Sequence, residues 1–358
     1  IRRQRQMCIR DRSSFDTHKA TQAYSLPVTA SWELDVFGRM RNAKKQAKAL
    51  YAQSEDYRQA VRTQLITGIA NTYYTLLMLD EQLDLSRQTE TAWKETVAST
   101  RALMNAGLAN ESAVSQMEAA YYQVQSSVLD LQQQISQVEN SLALLLAETP
   151  RSYERGMLAK QQFPTDLSIG IPVRMLSSRP DVRSAERTLE AAFYGTNAAR
   201  SAFYPSITLS GSAGWTNSAG SLILNPGKFL ASAVGSLTQP LFNKGQVVAQ
   251  YRIARAQQEE AALGFQQTLL NAGSEVNDAL IAYQTSQGKR LLLDKQIASL
   301  QTALQSTSLL MEHGNTTYLE VLTARQSLLS AQLSQTANHF TEIQSLINLY
   351  RALGGGQE

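Results

Sequence analysis

The sequence predicts a mainly α fold with a small antiparallel β part, its helices long and paired as coiled-coil hairpins. Three observations predict it. Apolar residues recur at alternating steps of three and four over long stretches almost free of glycine and proline. The chain repeats itself: "LMNAGLANESAVSQ" (Leu103 to Gln116) and "LMEHGNTTYLEVLT" (Leu310 to Thr323) each set a Leu-Met pair, a glycine and a small polar run ahead of an apolar helical pattern. Short segments outside the helices alternate apolar with polar residues, the period of a strand.

Composition agrees. Charged residues make up 18% of the 358 residues, below the roughly 25% of an average soluble domain, and Gln, Ser, Ala and Leu fill the difference. Aromatics are 7% and prolines number eight, a composition suited to long helices rather than a large compact core. Much of the net charge of +3 sits in "IRRQRQMCIRDR" at the start. The remainder is near neutral, which excludes a basic footprint for nucleic acid. No run of 18 apolar residues exists, so no transmembrane helix is expected, while a membrane β-barrel stays open. The single cysteine, Cys8, excludes an intramolecular disulfide framework. It follows "RRQRQM" with no apolar run, which argues against a lipid anchor there. Residues 1–24 are read as a foreign or disordered segment, and the true start, with any signal peptide, is expected to be missing.

Residues 25–37 carry the strand of the first repeat, "VTASWELDV" (Val28 to Val36), with Val28, Ala30, Trp32, Leu34 and Val36 on one face. Its hairpin partner is expected upstream. Residues 38–149 form a long helical hairpin. Its first leg, from Met40 to Met104, would be on the order of 90–100 Å long at about 1.5 Å per residue. Its second leg carries the heptad Val114, Met117, Tyr121, Val124, Val128, Leu131, Ile135, Val138, Leu142 and Leu145. Gly107 closes the first leg, and Gly314 does so in the second copy, because glycine accepts the left-handed cap conformation.

Residues 150–203 hold a proline- and glycine-bearing linker and a helix with Pro180 and Asp181 in its first turn. Residues 204–242 read as a β-hairpin. The strand "YPSITLSGSAGW" (Tyr204 to Trp215) has Ile207, Leu209, Gly211, Ala213 and Trp215 on one face, and "FLASAVGSLTQPLF" (Phe229 to Phe242) alternates less cleanly. Residues 243–353 repeat the helical hairpin and 354–358 are a tail. "LFNKGQVVAQYRIARA" (Leu241 to Ala256) matches "VFGRMRNAKKQAKA" (Val36 to Ala49) in position and character.

These patterns admit two chemistries. Strands apolar on one face and Ser, Thr, Glu or Asp on the other suit a membrane barrel with a wet lumen, with Trp32 and Trp215 in an interfacial aromatic belt. They also suit a sheet with one buried face. The helical flanks carry Gln, Ser, Asn and Thr where a dimeric coiled coil carries Glu and Lys, which suits helices packed around water or a plain structural coiled coil. Enzyme signals are absent: His18, His313 and His339 are scattered, and there is no HExxH and no phosphate loop. No catalytic group, metal site or cofactor is expected.

The combination of "SSRPDVRSAE" (Ser177 to Glu186), "AARSAFYPSITLSGSAG" (Ala198 to Gly214), "LTQPLF" (Leu237 to Phe242) and the two tip motifs resembles the outer-membrane efflux protein family of the TolC/OprM type. It is most similar to the lipoprotein branch that serves resistance-nodulation-division (RND) pumps. The resemblance runs in family order from about Leu26 to Gly356. It implies a homotrimer in which each protomer gives helices to a periplasmic α-barrel and strands to a shared twelve-stranded outer-membrane β-barrel in contact with lipid.

The resemblance further implies that the tips, at Asn105, Gly107 and Leu108 and at His313, Gly314, Asn315 and Thr316, meet a periplasmic adaptor protein, with an inner-membrane RND pump supplying the energy. Read from the residues alone, both glycines are hairpin caps. Glu320, in "YLEVLTA", takes the place of a family acid at the pore constriction, and Thr323 stands where a second acid can occur. Threefold symmetry would bring three Glu320 carboxylates together, attracting cations and repelling anions; the bland alternative is a solvated glutamate. Arg179, Arg183 and Arg187, with Asp181, Glu186 and Glu190 interleaved, read as a salt-bridged surface of the equatorial helix. The implied function is the passive exit duct of a tripartite efflux system for small molecules such as drugs or metal ions. An outer-membrane component of type I protein secretion and a structural coiled-coil protein are the alternatives.

Overall fold

The computed structural model describes residues 24–107, 109–161, 177–217, 229–312 and 318–355. The elements run β1 (Tyr24–Leu34), α1 (Arg39–Asn105), α2 (Glu111–Leu145), a 3₁₀ turn (Leu158–Lys160), α3 (Pro180–Ser201), β2 (Ser206–Asn217), β3 (Phe229–Thr238), α4 (Gln246–Glu312) and α5 (Tyr318–Ala352). Two compact units result: Ile1–Ala49 with Glu190–Glu260, and Leu50–Leu189 with Ala261–Glu358.

The duplication is exact in length. Both long helices, α1 and α4, have 67 residues, and both short ones, α2 and α5, have 35. The bounds 39 and 246, 105 and 312, 111 and 318, 145 and 352 are each 207 apart. The caps obey the same offset. Gly38 and Gly245 precede the long helices at φ 78 and 76. The short helices end with Glu148 N–H bonded to Ala143 O and Gly355 N–H to Tyr350 O, both at 2.9 Å. The turn residues there are Ala147 at φ 56 and Gly354 at φ 78. Alanine in the left-handed region is strained by about 1 kcal/mol. Ala147→Gly should therefore raise protomer stability by about 0.5–1 kcal/mol, read as a higher melting temperature in detergent.

β1 ends at Leu34, two residues before the end expected from alternation. The Asp35 carboxylate accepts Met40 N–H at 3.0 Å and Arg41 N–H at 2.8 Å, which turns the chain into α1 before Val36 can pair. Burial pushes that carboxyl up, but these hydrogen bonds and the Arg41 charge hold it below its usual range.

In the unit Leu50–Leu189 with Ala261–Glu358, the heptad of α2 packs on α1: Val128, Ile135 and Leu142 meet Leu76, Leu79 and Leu83. Trp93 gathers Met117, Ala120 and Val124 of α2 with Tyr318, Leu322 and Leu329 of α5. Val276 and Ala279 of α4 close on Leu349 and Ala352. Of the arginine stripe at the start of α3, Arg183 and Arg187 stay partly exposed and ion-paired, whereas Arg179 is buried. The Arg179 side chain is 5% exposed and pairs with Asp181 and with Glu275 of α4, both at 2.7 Å. It also donates to Ala352 O at 3.0 Å, satisfying a terminal carbonyl of α5. Arg183 and Arg187 reach buried Asp56 on α1. Helical spacing named the cations, but their partners lie on other helices. Burial raises the Asp181 carboxyl, and the Arg179 contacts and Val182 N–H together bring it below the usual range.

Candidate functional site

The three strands form one antiparallel sheet in the order β1-β2-β3. The register puts Val28 opposite Ala213, Ala30 opposite Gly211, Trp32 opposite Leu209 and Leu34 opposite Ile207. β3 continues the row with Ala231, Ala233, Gly235 and Leu237. One face is thus apolar in every row, as a period of two requires. None of the described residues covers it: Val28 is 70%, Trp32 63% and Leu237 68% exposed. Water is a poor neighbour for such a patch.

The other face is polar. Ser31 and Ser210 hydroxyls lie 3.4 Å apart, Ser212 and Ser232 2.7 Å apart, and Ser236 donates to Thr208 O at 3.4 Å. Glu33 on this face holds Arg39 at 2.7 Å. A polar ladder behind an uncovered apolar face is what a barrel wall between lipid and water needs. Both tryptophans lie on the apolar face but not side by side. Trp32 pairs with Leu209 and Trp215 with Leu26, six positions along β2, about 20 Å.

At the first tip, Gly107 has φ 76, and its N–H bonds Met104 O at 3.0 Å. The Asn110 side chain caps α2 by accepting Ala113 N–H at 2.9 Å. Glu111 in the first turn complements the helix dipole. Asn105 is the last residue of α1. Leu108, His313, Gly314, Asn315 and Thr316 lie outside the described residues.

Glu320 and Thr323 both fall in the first two turns of α5 and both are exposed in the protomer. Thr323 turns its hydroxyl inward to Leu319 O at 2.8 Å. The offset of 207 sets Glu320 against Ala113, which is fully buried, so the two repeats differ here. Two further contacts near the tips escaped the sequence reading. Arg101 of α1 pairs with Glu118 of α2. The Arg325 guanidinium lies 5.8 Å from the Trp93 ring centroid, a cation–π contact between α5 and α1. Burial pulls that guanidinium down and Glu95 partly offsets it. Only the 207-residue alignment of Arg325 with Glu118 hinted at a charged position here.

Among the described residues no helix is long and apolar enough to cross a membrane. None of them forms a group of three or more His, Cys, Asp or Glu side chains able to hold a metal ion. Fold and faces together define the build of an outer-membrane channel protein: paired helical hairpins and an antiparallel sheet with one uncovered apolar face. Comparison with known proteins gives the same class. The family profile described as outer membrane efflux protein matches residues 7–148 and 171–355, and the chain belongs to that family. The match takes in part of the stretch that composition set apart at the start.

The chain is similar to the cation efflux system protein CusC of Escherichia coli K12, 29% identical over 94% of this chain and 74% of the relative. It is 32% identical to the solvent efflux pump outer membrane protein SrpC of Pseudomonas putida, over 93% and 71%. Among solved structures, CusC superposes with a TM-score of 0.89 at 29% identity, covering 95% of this chain and 80% of that one. The outer-membrane channel OprN gives 0.87 at 26% identity, over 98% and 84%. The protein is thus an outer-membrane component of an efflux system.

Proposed function

We propose that the chain is one third of a passive, trimeric exit duct in a tripartite efflux system driven by an inner-membrane RND pump. In this reading the helical hairpins stand in the periplasm, and the tips at Asn105–Leu108 and His313–Thr316 dock a periplasmic adaptor. Trp32 and Trp215 mark the two edges of the lipid band, and small molecules such as drugs or metal ions pass through. The observation that carries it is the sheet: a wholly apolar, uncovered face joined to two hairpins of equal length. A structural coiled coil accounts for the helices and leaves that face unexplained. Cargo chemistry enters through the relatives, whose names specify cations and solvents. The test is the molar mass of the protein in detergent with bound detergent counted separately. A trimer carrying a detergent belt is expected; a detergent-free elongated dimer or filament overturns the reading.

Glu320 supplies the selective charge in this proposal. It is exposed in the protomer, sits in the first turn of α5, and by threefold symmetry meets two copies of itself near the axis. Such a ring favours cations and repels anions at close quarters. Glu320→Gln should lower the cation-to-anion permeability ratio of the open pore a few-fold and relieve block by divalent cations. Reversal potentials in a planar bilayer under a salt gradient read the change. An unchanged potential and unchanged block remove Glu320 from the lumen.

A further inference from the structure

We propose that the helix starts beneath the sheet form a basic collar that binds anionic phospholipid headgroups of the periplasmic leaflet; this rests on the outer-membrane reading of the sheet. The collar begins with an anomaly of charge. Helices α2, α3 and α5 carry Glu111, Asp181 and Glu320 in their first turns, as the helix dipole favours. The two helices that start at the sheet, α1 and α4, carry no acid there. From Arg39 to Ser54, α1 has five cations and no carboxylate; from Gln246 to Gln258, α4 has Arg252 and Arg255 and none. Cations at a helix N-terminus oppose the dipole; at α1 the Asp35 carboxylate answers part of that charge from outside the helix, and the cations further along α1 and α4 call for another anion.

The cations are ordered. Arg41, Lys44, Lys45 and Lys48 follow the i, i+3, i+4, i+7 spacing of one helix face. The 207-residue offset maps Lys45 onto Arg252 and Lys48 onto Arg255, so both repeats present the same basic pair. Arg39 and Arg41 are engaged by Glu33 and Asp35. Among the described residues no ion pair engages Lys44, Lys45, Lys48, Arg252 or Arg255, and all five are exposed. Lys45 lies 5.3 Å over the Tyr194 ring.

Their height fits. Lys48 and Arg255 each lie nine residues into their helices, about 14 Å along the axis. Side chains of both helices lean toward the N-terminus, that is toward the sheet. Between the last apolar row, Leu34 with Ile207 and Leu237, and the cations stands an aromatic layer. Phe37 stacks on Tyr204 at 4.7 Å, Phe203 meets Tyr251 edge-on at 5.7 Å, and Phe242 is 99% exposed. Apolar wall, aromatic layer and cations in that order reproduce hydrocarbon, interface and phosphate. A negative lipid surface attracts such cations over about a Debye length.

The test reconstitutes the full chain in phosphatidylethanolamine vesicles containing a minority of phosphatidylglycerol, and compares lipid retained on the purified protein with the bulk by mass spectrometry. Phosphatidylglycerol should be enriched, on the order of fivefold for each cation engaged at low salt, and the enrichment should fall as salt rises. The Lys45→Gln, Lys48→Gln, Arg252→Gln, Arg255→Gln variant should bring the ratio to near bulk while still floating with the vesicles. Arginine at the two lysines should restore it. Bulk composition around the wild type, enrichment that survives the variant, or a variant that changes pore selectivity and not retained lipid each overturns the collar. A wild-type chain that does not float with vesicles overturns the outer-membrane reading itself.

Discussion

Trp93→Ala is expected to destabilise the protomer by about 3–5 kcal/mol, the range for removing a large buried aromatic. Trp93 is 1% exposed, and three helices meet on it: its own α1, Met117, Ala120 and Val124 of α2, and Tyr318, Leu322 and Leu329 of α5. It also borders a cavity of about 600 Å³ between those helices, whose lining mixes polar side chains such as Ser86, Gln123 and Gln326 with apolar ones such as Val124, Leu329 and Leu333. The space left by the indole joins that cavity, so the neighbours have little reason to close in. The change has an electrostatic part as well. Arg325 has a buried Nε without a hydrogen-bond partner, and the Trp93 ring is the face its guanidinium lies over. Trp93→Phe keeps an aromatic face and should cost well under half as much. Thermal unfolding in detergent checks both, and equal losses for the two variants would remove the cation–π contribution.

Gly214→Val is expected to open the β1–β2 ladder and abolish a detergent-stable trimer. A Cβ on Gly214 would lie 2.6 Å from Leu26 O and 2.8 Å from Pro27 Cα. Both obstacles are backbone, so no rotamer relieves them, and the cost reaches about 3 kcal/mol or more. The ladder has little reserve there, because Pro27 pairs with Gly214 and has no N–H to give. Gly235 supplies the control. Nothing lies within 4 Å of its Cβ position, so Gly235→Ala should assemble like wild type. Trimer survival on unheated electrophoresis separates them. A stable trimer from Gly214→Val would show that β1 and β2 do not pair in the assembled wall.

The helices were legible because period and punctuation agree over long stretches. Reading Met40 to Met104 from heptads missed the ends of α1, Arg39 and Asn105, by one residue each. The heptad positions Val114, Met117, Val124, Val128, Ile135 and Leu142 are buried as the pattern requires. The strands were legible in type and less so in extent, because alternation runs through Val36 while the Asp35 cap ends pairing at Leu34. Sheet order was not legible: β1 and β2 are 172 residues apart at the nearest ends of their spans, Leu34 and Ser206, and no local pattern announces that pairing. Arg179 shows the deeper limit. Its spacing to Arg183 and Arg187 is a property of one helix. Its burial depends on Glu275 and Ala352, about a hundred and more residues away, and only the packed fold brings them to it.

The matched legs also turn span into a shared quantity. Shortening α4 alone by seven residues would draw its turn back by about 10 Å while preserving the heptad phase, leaving one hairpin a full two turns shorter than its twin. A number that is not a multiple of seven would also rotate the apolar seam away from its partner helix. A shorter or longer periplasmic reach therefore requires four coordinated edits of equal size, one in each of α1, α2, α4 and α5. Length behaves here like the teeth of a gear, adjustable in whole steps and only on every wheel at once.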